Sequence, residues 1–253
     1  MHFHVLYQTC VVDDYPHFPC EATNLDIPLG KHISDLKLPD PSLDSIWIFL
    51  VSLEMRRRLE KHGIHPFISD SDYQFDFSSL LAWCPELLLN KDAFLMPFGG
   101  VYKSQLVPEK VFLRPTSGNK LFSGQVMNKT DIKEFGRMLS IQDEELTVVA
   151  RPQCISNETR VFVVGGRIIG MAPYQHEDCK TVSFGCPGKA THDLIHKLSQ
   201  CPYLPDAYVA DVCEDENRDV KLVELNSIST SGTYSKEYEL VKDLTSFILT
   251  GRL

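Results

Sequence analysis

The stretch Val220-Lys221-Leu222-Val223-Glu224-Leu225-Asn226 decides the fold that we predict for this chain. As a strand, it places Glu224 and Asn226 on one face and apolar side chains on the other. Asp211 lies at the end of the apolar strand that precedes it. Carboxylates on apolar strands are unusual because burying them without a partner is costly. Since hard oxygen donors on adjacent strands suit Mg²⁺ held between protein and phosphate, the pattern predicts a Mg²⁺ site at Asp211, Glu224 and Asn226.

Short strands and turns dominate the chain from Val111 onward. The predicted strands are Val111–Arg114, Leu121–Val126, Thr147–Arg151, Glu158–Val164, Arg167–Met171, Ala207–Val212 and Val220–Leu225, and the predicted helices are Thr130–Leu139 and Ala190–Ser199. Gly165-Gly166 between two β-branched runs predicts a two-residue hairpin, because both positions accept positive φ. Asp215 to Asp219 supplies a second polar turn. This succession predicts an α+β domain.

The first hundred residues follow a different pattern. His2–Tyr7 alternates as an opening strand does, and residues 13–42 are rich in Asp and Pro, which predicts a long irregular connection. Ile46–Val51 is a continuous apolar run of strand length, typical of a strand buried on both faces. Ser52 stands at a helix N-cap position, and the segment Leu53–Gly63 predicts a helix that ends on glycine. A strand that enters a helix in this way indicates a small α/β unit.

A stretch with two glycines and two prolines, Pro97–Pro108, separates these two patterns. No internal repeat or low-complexity tract occurs elsewhere in the sequence. We therefore predict an N-terminal α/β domain over residues 1–104 and a second, larger domain over residues 105–253. The chain has 253 residues, of which 43% are hydrophobic, so it is long enough for two small domains.

Charge and composition exclude several classes of protein. The 34 acidic and 25 basic residues give a net charge of −9, which disfavours general nucleic-acid binding. The longest apolar run, Ile46–Val51, is far shorter than the roughly 20 residues of a membrane span. The N-terminus lacks the pattern of a secretory signal, so we expect a cytoplasmic protein without a membrane partner. Eight cysteines without a CxxC pair favour free thiols over a zinc knuckle or a disulfide framework.

Two cations flank a small, flexible turn in the second half of the chain. Arg114 and Lys120 lie on either side of Gly118. Fixed cations and approachable backbone N–H groups are what a polyphosphate requires. The stretch is not a Walker loop, because GxxxxGK[ST] is absent. Turn chemistry alone also allows a solvated, charged hairpin, so both interpretations stay open at this point.

The segment Thr147–Gln153 contains a strand that ends at a proline. Pro152 cannot donate to a sheet, so the backbone groups beside it are left for a ligand such as adenine. Glu158 and Arg160 follow, two residues apart and hence on one face of the next strand. They are candidates for a binding site, and the alternative is a cross-strand ion pair on a solvated sheet.

A hydroxyl-rich loop, residues 227–234, follows Asn226 directly. Its serines and threonines suit contact with an acceptor substrate. His176, Lys180 and Lys189 lie in a loop-rich region that could also approach the acceptor.

Two further patterns are weaker. His192 and His196 stand four apart on a predicted helix, but HxxxH without the zincin glutamate favours a polar helix face over a metal site. The run Arg56-Arg57-Arg58 is too short for a nucleic-acid patch, so we expect it on a solvated helix face.

The order of these motifs along the chain resembles the ATP-grasp superfamily. The cationic hairpin comes first, followed by the apolar strand, the segment Glu158–Gly166, Asp211, and then Glu224-Leu225-Asn226 with its Ser/Gly loop. More narrowly, the chain resembles the divergent ATP-grasp proteins of bacteria and phages, over roughly residues 45–245. The resemblance implies an α+β ATP-grasp fold with a small N-terminal α/β domain like the pre-ATP-grasp domain.

The resemblance also implies roles for individual residues. Arg114 and Lys120 would hold the ATP phosphates, and Arg160 would act with them in catalysis. The nucleotide would contact Val148, Val149, Ala150, Arg151, Glu158 and Arg160, the first four through a hinge whose backbone meets adenine. Asp211, Glu224 and Asn226 would carry Mg²⁺. The chain departs from many relatives in having Arg114 where they have a first lysine, and in a short loop over the phosphates.

The activity implied is that of a carboxylate–amine ligase. Mg²⁺-ATP would phosphorylate a carboxylate, and an amine would attack the acyl phosphate to give an amide, ADP and phosphate. The substrates would be small-molecule or peptide carboxylates and amines. Two alternatives stay open: a phosphotransferase with a hydroxyl or nucleic-acid-end acceptor, and a nucleotide-binding module without turnover. Fold analogy does not choose the substrate, and the oligomeric state stays open.

Overall fold

The structure is a computed structural model that describes residues 2–8, 22–28, 36–38, 45–67, 75–116, 121–173, 188–232 and 237–250. The strands within these ranges are β1 (His2–Tyr7), β2 (Ala22–Asp26), β3 (Ser45–Leu50), β4 (Phe94–Pro97), β5 (Lys110–Pro115), β6 (Gln125–Asn128), β7 (Leu146–Ala150), β8 (Ser156–Val164), β9 (Arg167–Pro173), β10 (Ala207–Glu214) and β11 (Val220–Asn226). The helices are α1 (Leu53–Lys61), α2 (Phe77–Trp83), α3 (Phe98–Lys103), α4 (Lys129–Met138), α5 (Lys189–Ser199) and α6 (Glu237–Thr250). This content confirms the predicted α+β class.

Packing divides the chain into two compact units. The first unit contains Met1–Asp70, Thr159–Asp211 and Leu225–Leu253, and the second contains Ser71–Glu158 and Val212–Glu224. The unit borders differ from the boundary at residue 104 that the sequence predicts. The units are defined by contacts within the fold, so the domains 1–104 and 105–253 stay a prediction.

A parallel sheet with the strand order β2-β1-β3 lies in the first unit. Five of the six residues of β3 are buried, because both faces of the strand are covered, as the continuous apolar run predicts. One face packs in a core with residues of α6, and the other packs on α1. The first core includes Phe3, Val5, Ile46, Ile48, Leu50, Leu240, Val241 and Leu244, and the second includes Leu6, Trp47, Phe49, Met55 and Leu59.

Local chemistry sets both ends of α1 as predicted. The Ser52 hydroxyl accepts a hydrogen bond from the Met55 amide at 3.3 Å, which makes Ser52 the N-cap. Past the helix, Gly63 adopts a φ of +78°, a conformation that favours glycine. The strand β2, in contrast, lies within residues 13–42, where we expected an irregular connection. That expectation was wrong for β2, whose pairing with β1 is set by the parallel register and not by an apolar pattern of its own.

An antiparallel sheet with the order β4-β7-β5-β6 lies in the second unit. The helices α3 and α4 cover one face of it, and the shared core comprises Phe98, Val101, Val107, Val111, Leu113, Phe122, Ile132 and Val149. The strand predicted over Leu121–Val126 is found four residues later, at β6. Phe122 is buried in the core instead of paired in the sheet, which accounts for the shift.

A third sheet has the order β11-β10-β8-β9, and its strands β8, β10 and β11 contain residues of both units. The hairpin between β8 and β9 turns at Gly165 and Gly166, with φ values of +56° and +74°, as predicted. The turn after β10 is also confirmed, since Asp215 Oδ1 accepts hydrogen bonds from the amides of Asn217 and Asp219.

Two further predictions bear on the class of protein. None of the helices in the described ranges is long and apolar enough to cross a membrane. The four cysteines in the described ranges are free thiols, as predicted, and they are Cys84, Cys154, Cys201 and Cys213. Cys10, Cys20, Cys179 and Cys186 lie outside the described residues.

Close packing of α4 on α3 leads to a testable result for Gly136→Ala. A Cβ at Gly136 lies 2.3 Å from Phe98 Cε1, and Phe98 is buried. Overpacking of this kind costs roughly 1–3 kcal/mol, which exceeds the gain of about 1 kcal/mol in helix propensity. We expect urea unfolding to show a net loss of about 1–2 kcal/mol.

Gly100→Ala is the matched control for this substitution. A Cβ at Gly100 meets only Met96 Cε within 4 Å, at 2.9 Å, and that atom ends a flexible side chain. We expect Gly100→Ala to keep the parental stability or to raise it. A Gly136→Ala protein as stable as the parent would contradict the tight contact between the two helices.

Candidate active site

A buried polar cluster forms where β8, β10 and β11 run side by side. The guanidinium of Arg160 donates two hydrogen bonds to Asp211, from Nε to Oδ1 and from Nη2 to Oδ2, both at 2.8 Å. Asn226 Nδ2 donates to the same Oδ2 at 3.1 Å. All three residues are buried, with Asp211 only 1% exposed. The structure thus brings together three residues that the sequence singled out separately.

The pairing of Arg160 with Asp211 answers one question that the sequence left open. A cross-strand ion pair was the alternative to a binding role for Arg160. Such a pair exists, but it lies in the interior and not on a solvated sheet. Because a buried carboxylate needs a partner, Arg160 is what allows Asp211 to stay ionised there. Glu158, two residues before Arg160 on β8, is half-buried.

A second ion pair joins Arg114 on β5 to Glu224 on β11. Arg114 Nη2 donates to Glu224 Oε2 at 3.0 Å, and Nη1 donates to the Val223 carbonyl at 3.3 Å. The guanidinium also lies 5.4 Å from the centre of the Phe77 ring, a cation–π distance. Both side chains are partly exposed, so Arg114 is held in place while part of its charge faces water. Lys120, its predicted partner in phosphate binding, lies outside the described residues.

The predicted hinge occupies the end of β7. The strand ends at Ala150, two residues before Pro152, as the sequence predicts. In the sheet register Val148 is opposite Arg114, so the predicted adenine and phosphate residues are cross-strand neighbours. Arg151 follows the strand and is exposed.

A cleft of about 410 Å³ adjoins this hinge within the second unit. It is lined by Asn90, Asp92, Ala93, Phe94, Leu106, Pro108, Val111, Val149, Ala150, Arg151 and Gln153. Its size falls in the range of roughly 300–1,000 Å³ that is usual for small-molecule sites. Three of the four predicted hinge residues therefore line a cleft that can receive a small molecule.

The donor set of Asp211, Glu224 and Asn226 fits Mg²⁺ in kind, because carboxylate and amide oxygens are its preferred protein ligands. Among the described residues, no group of three or more His, Cys, Asp or Glu side chains could hold a metal ion. Each carboxylate instead contacts a guanidinium, that of Arg160 or that of Arg114. A cation that binds these oxygens competes with two arginines.

The serines after β11 do not face outward as we expected. Ser227, Ser229 and Ser231 are all buried, and their hydroxyls are engaged in hydrogen bonds within the protein. The expectation that this loop presents its hydroxyls to an acceptor was therefore wrong for these three residues. Burial of alternate residues against the body of the fold accounts for the difference, because such serines must find partners inside.

The remaining candidates are placed as follows. His192 and His196 are exposed on α5, as expected for a polar face, and Lys189 pairs with Asp193 at 2.9 Å. His176 and Lys180 lie outside the described residues. In the arginine run, Arg57 and Arg58 are exposed as predicted, but Arg56 is only 6% exposed. The sequence analysis missed Arg56, although its position one helical turn after the N-cap of α1 and one residue after the buried Met55 was available as a signal.

Comparison with known proteins agrees with this fold and site. The architecture is that of the ATP-grasp proteins, and two solved structures align over nearly the whole chain. An ATP-grasp RimK domain protein from Sphaerobacter thermophilus DSM 20745 is 12% identical, with a TM-score of 0.59 and coverage of 98% of this chain and 99% of that chain. The D-alanyl-alanine synthetase A from Vibrio cholerae O1 biovar eltor str. N16961 is 10% identical, with a TM-score of 0.56 and coverage of 96% and 92%.

The family follows from the sequence itself. A family model of the ATP-grasp domain, that of clade family 3, matches residues 51–248, and the chain belongs to this ATP-grasp family. No curated protein sequence matches the chain. The resemblance to divergent ATP-grasp proteins that the motifs indicated is thereby confirmed. At identities this low, the solved structures show the fold and leave the substrate to be proposed.

Proposed function

We propose that the protein is an ATP-dependent ligase that joins a carboxylate to an amine. The buried cluster of Arg160, Asp211 and Asn226 carries the proposal, because it presents guanidinium, carboxylate and amide groups from three strands at one place. Membership in an ATP-grasp family supports ATP as the nucleotide. Several similar structures are named as ligases or synthetases, which supports the reaction class.

The proposed roles follow the chemistry of each group. Arg114 and Lys120 bind the phosphates, since charge-assisted hydrogen bonds from cations are the strong ones. The backbone of Val148–Arg151 receives the adenine beside Glu158, and the adjoining cleft supports this assignment. Asp211, Glu224 and Asn226 would hold Mg²⁺. When bound, this ion stabilises the charge that develops on the transferred phosphoryl group.

The reaction proposed has two steps. A carboxylate oxygen of the substrate attacks the γ-phosphorus of ATP, and the bond from that phosphorus to the bridging oxygen breaks, so that ADP leaves with the electron pair. The amine nitrogen then attacks the acyl carbon, and phosphate leaves as the amide forms and the nitrogen loses a proton. The arginine side chains contribute electrostatic stabilisation and orientation, which is most of what phosphoryl transfer requires of a protein. The substrates proposed are small-molecule or peptide carboxylates and amines.

ADP release is the direct test of this proposal. We expect ADP to form from ATP and Mg²⁺ only when both a carboxylate and an amine are supplied from a panel of amino acids and short peptides. ATP with Mg²⁺ should also raise the melting temperature, since a hundredfold excess over Kd stabilises by about 2.7 kcal/mol. A phosphorylated product without amine would show a phosphotransferase instead. No heat of binding and no thermal shift with millimolar ATP, ADP or GTP would contradict any nucleotide-dependent function.

A nucleotide-binding module without turnover is the second candidate. The observation in its favour is that Arg160 engages both oxygens of Asp211. Binding of ATP without ADP release in any combination of substrates would support this alternative.

A further inference from the structure

Arg56 is a buried cation that the proposed catalytic roles do not use. It lies on α1, where its side chain is 7% exposed and its Nε donates to Glu60 Oε1 at 2.8 Å. Its Nη1 donates to two hydroxyl oxygens, those of Ser227 and Ser229, both at 3.1 Å. These serines are 171 and 173 residues away in the sequence. A charge taken out of water costs several kcal/mol, so a buried guanidinium needs hydrogen bonds on every side, and the two serines supply part of them.

The loop that Arg56 contacts, residues 227–232, is closed by its own hydrogen bonds. The hydroxyls of Ser227 and Ser229 lie 2.6 Å apart, and the Ser231 hydroxyl donates to the Ser227 carbonyl at 2.7 Å. The Ser229 carbonyl accepts from the Val51 amide at 3.0 Å, at the end of β3. A hydroxyl hydrogen rotates to suit its neighbours, so these contacts alone allow more than one arrangement of the loop. A planar guanidinium that bonds two of the hydroxyls at once fixes one arrangement.

Both ends of the same loop meet the buried cluster. Asn226, which precedes the loop, donates to Asp211, and Arg160 Nη1 donates to the Gly232 carbonyl at 3.3 Å. Movement of the loop therefore moves Asn226 directly and changes one contact of Arg160. Arg56 contacts the middle of a segment whose two ends form part of the candidate active site.

We propose that Arg56 is a positioning residue, which fixes the loop 227–232 and through it the orientation of Asn226 and Arg160. This inference rests on the proposed function for its effect on turnover, and it goes beyond that function in assigning a role to the first turns of α1. Arg56 acts through the loop and touches none of the residues proposed to bind nucleotide. A displacement of about 1 Å at a distance from the reacting atoms can cost about 100-fold in rate, which is the scale of effect available to such a residue.

The first arm of the test uses hydrogen exchange in the ligand-free protein. Arg56→Met keeps a long, helix-forming side chain and removes the bonds to the serines, while Arg57→Met is the matched control at an exposed position on the same helix. We expect amides of residues 228–232 to exchange about tenfold faster in Arg56→Met, with β7 and α4 unchanged. In Arg57→Met the exchange of the loop should equal that of the parent. Unchanged loop exchange in Arg56→Met would overturn the proposal.

The second arm separates positioning from a structural role by kinetics. We expect Arg56→Met to lower kcat by about 10- to 100-fold while the KM for ATP changes by less than about threefold, because the hinge at Val148–Arg151 is untouched. Arg56→Lys should recover part of the loss, since an ammonium keeps the charge and reaches a hydroxyl without the planar fork. A purely structural role would lower the amount of active protein with no selective change in kcat per folded molecule.

Each outcome has a distinct meaning. If the parent releases ADP and Arg56→Met does so at the same rate, the role of Arg56 is overturned and the proposed function stands. A parent that releases no ADP with any substrate pair overturns the proposed function and the role in turnover together. Should Arg56→Met fail to fold, Ser229→Ala removes one acceptor at little cost in volume and decides the question with the same two readouts. Parental exchange and parental kcat in Ser229→Ala would then overturn the proposal.

Discussion

Asp211→Asn is expected to lower the free energy of unfolding by about 3–5 kcal/mol, measured by urea denaturation of the ligand-free protein. Asparagine keeps the shape of aspartate and removes its charge. The guanidinium of Arg160, 5% exposed, then loses the negative charge of Asp211 while it stays buried. Loss of one partner of a buried pair costs more than the pair contributes, because the remaining charge stays desolvated. The Asn226 amide also loses a charged acceptor.

Two controls make this result specific to the buried pair. Glu134→Gln removes an exposed carboxylate from its pair with Arg137, and we expect less than about 1 kcal/mol of change. The double substitution Arg160→Met with Asp211→Leu removes both charges, and its cost should be well below the sum of the two single substitutions. A loss below about 1 kcal/mol in Asp211→Asn would show that Arg160 has other compensation.

Glu224→Gln is expected to reduce ADP release by about 100-fold or more, if Glu224 carries the proposed metal ion. Glutamine keeps the volume and the hydrogen-bonding reach of the side chain and lacks the negative charge. The fold should change little, because the ion pair with Arg114 is partly exposed on both sides and such pairs contribute about 1 kcal/mol or less. A large loss of turnover with a small loss of stability is therefore the expected pattern.

The matched control for Glu224→Gln is Glu214→Gln on the adjacent strand β10. Glu214 is half-buried and accepts a hydrogen bond from Asn157 Nδ2 at 2.9 Å, but no role in the reaction is proposed for it. We expect Glu214→Gln to release ADP at the parental rate. The assignment of Glu224 as a metal ligand would be refuted by parental turnover in Glu224→Gln at every Mg²⁺ concentration tested.

Part of the site could be predicted because the motifs combine strand alternation with unusual residue types. Glu224 and Asn226 were recognised since polar side chains recur at every second position of an apolar strand. The hinge was recognised because Pro152 must end a strand. The partners of these residues could not be predicted in the same way. That Arg160 contacts Asp211, 51 residues later, depends on β8 and β10 becoming neighbours.

The arginine run on α1 shows the same limit. Three consecutive arginines on a short helix have the same chemistry, and the sequence predicts a solvated face for all of them. A helix turns about 100° per residue, so adjacent positions point in different directions. Only Arg56 points to the loop 227–232, and the loop is brought there by the pairing of residues far apart in the chain.

By itself, the sequence determined the α+β class, most of the strands and helices, the N-cap at Ser52 and the glycine turn between β8 and β9. These features depend on side chains a few residues apart, whose sterics and hydrogen bonds act in any context. Only the tertiary structure decided that β2 joins the parallel sheet, that the loop serines are buried, and which arginine faces which carboxylate. The physical reason is that charge pairs and sheet partners are selected among groups distant in sequence, by burial that exists only once the chain has folded.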